Sequence, residues 1–239
     1  MRAFTAQLKL EVLLTMRRGE SVLLTLGIPV VLLVFFSSVD ILPIDIDDPI
    51  DFLAPGVLAL AIMSTSMVSV AIATGFERSY GVLKRLGVTP LGRPRLLAAK
   101  TGAVVVVELV QLAILIPVGL LLGWSPSVSA SIIPAVVLGT AAFAGLGFLM
   151  AGTLDALATL ALANGVYLIL LLIGGFIVPI DELPGPMQTV AELLPSAALA
   201  DTVGASLTAG ASAAARSWIV LAVWALVTPV VAARTFRWE

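Results

Sequence analysis

The sequence predicts an all-α membrane protein. It has six transmembrane helices, an N-terminal amphipathic interfacial helix, and short re-entrant helices before the last span. Three observations predict it. First, the 239 residues are 60% hydrophobic and only 12% charged, against about 25% charged in an average soluble domain. The mean hydropathy is +1.13. Second, six apolar runs recur, each near the ~20 residues that cross a bilayer. Third, the basic residues are sorted by loop: twelve of the 13 Lys and Arg fall on one side and only Arg216 on the other. By the positive-inside rule both termini then lie in the cytoplasm, which requires an even number of spans. No polar stretch is long enough for a separate soluble domain, so residues 1–239 read as one transmembrane domain in the cell (plasma) membrane.

Residues 1–20 open the chain. Phe4, Leu8, Val12 and Met16 make an apolar stripe, and Gln7, Glu11 and Arg18 a polar one. This pattern predicts a helix lying in the interface plane, with Arg17 and Arg18 at the headgroups. The Arg17–Arg18–Gly19–Glu20 run would be costly inside lipid, which disfavours a simple extension of the first span. The first span covers residues 21–39, with Pro29 as a candidate kink, and is expected to act as its own targeting signal. Residues 40–51 carry five Asp and no Lys or Arg, hence an outside loop; the ligand spacing and glycine of an EF-hand are missing. The second span, 52–74, holds Ser64, Thr65, Ser66 and Ser69, which serve helix packing or face a path.

Residues 77–95 form a basic loop whose first part reads as a short helix. Tyr80, Leu83 and Leu86 fall on one side, and Arg78, Lys84 and Arg85 on others, with Gly87 and Pro90 as its stop. Such a helix suits docking onto another protein; a solvated loop that only sets topology is the alternative. The third span, 96–122, carries Glu108 near its middle and Gln111 one turn on. A carboxylate at that depth faces protein or a water-filled cavity, either protonated or bonded to hydroxyls. Its role is structural or path-lining, and both remain open.

A short turn follows, with Trp124 at interface depth. The fourth span, 131–152, shows a small-residue face with Gly139, Gly145, Gly147 and Gly152, a packing surface. The fifth, 156–178, has Asn164 and Tyr167 as its polar residues. Residues 179–212 contain four acids, no Lys or Arg, and proline-bounded segments too short to cross; these read as helices dipping into the outer leaflet. The last span runs over 216–233.

The chain has no Cys and no His. That removes Cys or His metal sites, haem ligation through His, Cys nucleophiles, Ser–His catalysis and disulfides. No catalytic residue and no metal site is assigned. The basic residues follow topology and lack interleaved aromatics, so nucleic-acid binding has no support. No phosphate-binding G-x-x-x-x-G-K-[ST] loop occurs.

Two motifs carry a family resemblance. Glu77, Arg78, Gly81, Leu83, Leu86, Thr89, Pro90 and Leu91, followed by a basic segment ending at Lys100, resemble the loop between the second and third spans of type-2 ATP-binding-cassette (ABC) export permeases. That family includes the membrane subunits of daunorubicin-type drug exporters. Pro179, Leu183, Pro184, Leu194 and Pro195 resemble the same family's re-entrant element. The resemblance implies a permease subunit driven by a separate ATPase, present in two copies, that binds ATP and Mg. It also implies a second permease, same or related, and export of a substrate. Mostly apolar spans and few aromatics favour a hydrophobic or amphipathic cargo, drug or lipid-like. The resemblance makes residues 77–95 a cytoplasmic coupling loop, with Glu77, Arg78, Tyr80, Gly81, Leu83, Lys84, Arg85 and Leu86 as ATPase contacts. Arg17 and Arg18 are candidate supporting contacts. Ser66, Ser69, Glu108, Gln111, Asn164 and Tyr167 are candidate path-lining residues. The alternatives are a secondary transporter or channel without an ATPase, for which Glu108 is the only candidate relay and no repeat is evident, and a membrane enzyme, which lacks a catalytic constellation.

Overall fold

The computed structural model describes residues 2–17, 19–38, 49–88, 92–176 and 178–237. Arg18, most of the acidic loop at 40–48 and the Thr89–Pro90–Leu91 end of the basic motif lie outside these residues. Among the described residues every regular element is helical. This follows from the composition: in hydrocarbon each backbone N–H and C=O must find a partner within its own segment, and a helix provides that.

Helix α1 spans Arg2–Arg17 and α2 spans Gly19–Ser38, with Pro29 inside it. The second span is a continuous helical rod, Pro49–Ser79. It consists of α3 (Pro49–Met63), a π-helical turn (Ser64–Ser69) and α4 (Val70–Ser79). Short α5 follows (Val82–Gly87), then α6 (Arg93–Leu121), α7 (Ile132–Thr153) and α8 (Ala156–Ile173). A 3₁₀ turn (Ile180–Glu182), α9 (Gly185–Ala191) and α10 (Pro195–Leu207) precede α11 (Ala215–Thr235).

Five of the described helices are long and apolar enough to cross a membrane. They match the second to sixth predicted spans. At the first span, α2 carries a shorter apolar stretch, Thr25–Ser38. Its apolar face is partly uncovered: Leu23, Ile28 and Val31 are exposed.

The core lies on α3 and α7. Every residue from 53 to 63 is buried. Helix α7 packs against α11, α4, α10, the π-helical turn and α3, and its glycines make those approaches possible. A Cβ on Gly145 would lie 2.2 Å from Thr228 Oγ1 and 2.6 Å from the Pro229 nitrogen. One on Gly139 would strike the Leu199 side chain, and one on Gly152 the Phe236 ring. The small-residue face therefore does what its spacing implies: it lets helices touch where bulk apolarity supplies no drive. Thr228 adds a hydrogen bond to the Ala142 carbonyl at 2.8 Å.

Packing adds to two expectations. Trp124, just past the end of α6, is buried over Gly119, where a Cβ would lie 2.7 Å from the indole. The polar stripe of α1 does not face outward as a whole. Gln7 and Glu11 are buried, while Leu10, Leu13 and Leu14 are exposed. A charge on α6, described below, draws the polar side inward.

The segment before the last span is helical but short. Helix α10 has 13 residues, about 20 Å, and is wedged among α3, α7 and α11. Two backbone bonds from the turn before α7 tie it down: Ser127 N–H to the Leu207 carbonyl and Ser129 N–H to the Ser206 carbonyl, each 2.9 Å.

Candidate functional site

Helix α4 runs on to Ser79, so Glu77 and Arg78 lie on the last turn of the second span and not on the short basic helix. The break comes at Tyr80–Gly81. Gly81 adopts φ 71°, a left-handed conformation that glycine takes without steric cost. The chain turns there and α5 begins.

Helix α5 has six residues, too few to be stable alone. Leu83 anchors it. This side chain is fully buried in a cluster with Val70, Leu96, Leu97, Phe148 and Phe236. Leu83 is thus an internal anchor, which corrects its assignment as a partner contact; Leu86 packs at the edge of the same cluster. The short helix is amphipathic, and the bundle's own core occupies its apolar side. Leu83→Ala is expected to cost about 2–5 kcal/mol at this site, and limited proteolysis within the basic loop should accelerate. Facing outward are Tyr80 (73% exposed), Val88 (88% exposed), Lys84 and Arg85.

Glu77 and Arg78 are engaged within the chain. Arg78 Nη2 donates to the Leu154 carbonyl in the turn after α7. Its Nη1 is buried without a partner among the described residues. Glu77 accepts from Lys100 Nζ at 2.5 Å, and the same ammonium contacts Glu11 of α1 at 3.0 and 3.1 Å. Gln7 Nε2 donates to Glu11 at 2.7 Å. One buried lysine therefore ties α1, the end of α4 and α6 together. Lys100 closes the basic motif in the sequence, and it lies two turns inside α6, a depth at which a cation needs a partner. That depth is the signal that could have found the triad. Arg17 is exposed at the end of α1.

Above the triad lies a cavity of about 690 Å³. Glu11, Thr15 and Lys100 line the end beside the triad; Thr25, Ile28 and Leu32 of α2, the π-helical turn, α4, α6 and α8 form its walls. Of the candidate path-lining residues, Ser69, Asn164 and Tyr167 line it. Three others are placed elsewhere by their bonds. Ser66 is buried and donates to the Ile62 carbonyl. Glu108 is buried between α6 and α7, where Thr140 Oγ1 donates to Oε2 at 2.7 Å; its Oε1 has no partner among the described residues. Gln111 accepts from Thr65 and donates to the Thr25 carbonyl, each at 3.0 Å. Thr25, Ser64 and Thr65 line the cavity instead. Among the described residues no group of three or more His, Cys, Asp or Glu is arranged for a metal ion.

The model of the ABC-2 type transporter family matches residues 2–207 of the chain. The chain belongs to the ABC-2 type transporter family. No curated protein matches it. The matched span runs from α1 through α10 and so includes the triad, the short basic helix and the cavity walls. An ABC-2 chain is the membrane-embedded permease component of an ABC system and associates with an ATPase subunit. At the basic end of this ABC-2 permease, apolar and cationic side chains are exposed together on and beside a short anchored helix.

Proposed function

We propose that this ABC-2 permease is the membrane-spanning subunit of an ATP-driven exporter. It moves a hydrophobic or amphipathic substrate, drug or lipid-like, out of the cytoplasm or the inner leaflet. The observation that carries the proposal is the short helix Val82–Gly87, held to the bundle by buried Leu83 while Tyr80, Lys84, Arg85 and Val88 remain exposed. Such a face suits a cleft with an apolar floor and acidic rim on a separate ATPase that binds ATP and Mg. Residues 77–95 then form the cytoplasmic coupling loop, with both termini in the cytoplasm of a plasma-membrane protein. Residues 179–212 form the outward re-entrant segment within one transmembrane domain.

Tyr80, Lys84 and Arg85 would touch the ATPase directly, and Arg17 would support them. Glu77, Arg78, Gly81, Leu83 and Leu86 would set the position of that surface. Two permeases, same or related, would pair with two ATPases. The cavity beside α8 would form half of the path, and its apolar walls with Ser69, Asn164 and Tyr167 suit an amphiphile.

Reversing charge in Lys84→Glu/Arg85→Glu tests the docking role. Placing like charges against an acidic rim weakens association steeply. Co-purification with the ATPase subunit should fall roughly tenfold or more, and ATP-driven export should stop, while the permease itself stays folded. Full co-purification and export by the double variant would exclude this helix as the docking element.

A further inference from the structure

The second span changes its helical pattern in mid-course. Residues Ser64–Ser69 close backbone bonds five residues apart instead of four, forming a π-helical turn between α3 and α4. Such a turn carries one residue more than the α pattern needs, so its surroundings must hold it. Three contacts do so. Thr65 Oγ1 donates to Gln111 Oε1, and Gln111 Nε2 donates to the Thr25 carbonyl of α2. On the α7 side, Gly147 leaves room for the Met67 carbonyl; a Cβ there would lie 2.7 Å from that oxygen.

The two halves joined by this turn differ. Residues 53–63 are buried throughout and fixed by the core. Helix α4 packs on α7 and α8, in part through small groups: Gly147 faces Ala71 and Gly75 faces Thr159. It ends in Glu77 and Arg78, one turn before the short basic helix. Between them, Ser64, Thr65 and Ser69 of the turn form part of the cavity wall, with Thr25 across from them.

We infer that Gln111 is a positioning residue that holds this π-helical turn as a hinge, through which movement of the basic end swings α4 against a fixed α3 and reshapes the cavity wall. The inference rests on the transport role proposed above. Passing one residue between the π and α patterns turns the following helix by about 100° and shifts it by about 1.5 Å, enough to move the residues lining the cavity. Gln111 suits the task because a neutral amide offers an acceptor to one helix and a donor to another without burying a charge. It is 1% exposed and both of its ends are used.

The chain contains no cysteine, so introduced cysteines carry spin labels uniquely. One pair, Ser79→Cys with Arg234→Cys, reports the basic end; another, Asp51→Cys with Val128→Cys, reports the opposite end. All four positions are exposed. Electron–electron distances are measured in lipid nanodiscs with the ATPase subunit bound, with and without ATP and Mg. The expected result is a shift in the first pair on adding ATP, with the second pair unchanged. Gln111→Leu, and the nearly isosteric Thr65→Val, broaden the first pair's distribution before ATP is added, whereas Thr65→Ser, which keeps the hydroxyl, restores the parent distribution. Equal shifts in both pairs would mean a rigid rod and overturn the hinge. So would parent-like distributions in both Gln111→Leu and Thr65→Val while the parent still responds to ATP. No response of either pair in the parent overturns the hinge together with the transport role beneath it.

Discussion

Lys100→Met is expected to destabilise the folded protein by about 3–5 kcal/mol. In the folded chain the Lys100 ammonium is the shared partner of Glu11 and Glu77, and the three side chains are 6%, 10% and 14% exposed. Removing the cation leaves two carboxylates facing one another in a poorly solvated site, with only Gln7 still donating to Glu11. The cost comes less from the lost attraction than from the uncompensated charges left behind. The effect is measured as the unfolding midpoint in lipid nanodiscs. It has an internal control: Lys100→Met combined with Glu11→Gln and Glu77→Gln removes every charge of the cluster and should recover most of the loss. An unchanged midpoint in the single variant would show that these charges are solvated and that the triad does not hold α1 to the bundle.

Gly145→Val should be of similar or greater effect, about 3 kcal/mol or more. Its new Cβ would meet backbone as well as side chain, at 2.2 Å from Thr228 Oγ1 and 2.6 Å from the Pro229 nitrogen. A flexible side chain could give way; the backbone of α11 cannot. The helices must separate, and the Thr228 hydrogen bond to Ala142 is lost with the contact. Gly165→Val on α8 is the matched control, because nothing lies within 4 Å of its Cβ position. The yield of folded monodisperse protein after extraction should collapse for the first variant and stay close to the parent for the second. Equal yields would mean that α7 and α11 do not make a close glycine contact.

Much of the fold was legible in the residues. A bilayer asks for long apolar helices, so the runs that became Pro49–Ser79, Arg93–Leu121 and Ile132–Thr153 could be found by counting. The glycine face of α7 could be found by spacing, since only small residues let helices approach so closely. The site was less legible. The spacing of Leu83 placed it correctly on the apolar side of a short helix, but spacing cannot say whether that side meets a partner or the chain's own core. The short helix stops at Gly87 as its spacing implies, but Glu77 and Arg78 belong to the preceding helix because the chain breaks at Tyr80–Gly81, ahead of α5. Ser66, Glu108 and Gln111 are polar at membrane depth as expected, yet each is spent on a bond between or within helices.

Local pattern alone determined the class of molecule, the course of its second to sixth spans and the position of its basic loop. The reason is that hydrocarbon and water impose their demands residue by residue. The tertiary structure decided which polar groups meet: Lys100 with carboxylates 89 and 23 positions away, and Gln111 with Thr65 and Thr25. Those pairings depend on how helices rotate and cross, and rotation is set by close packing of glycines and side chains that lie far apart in the chain.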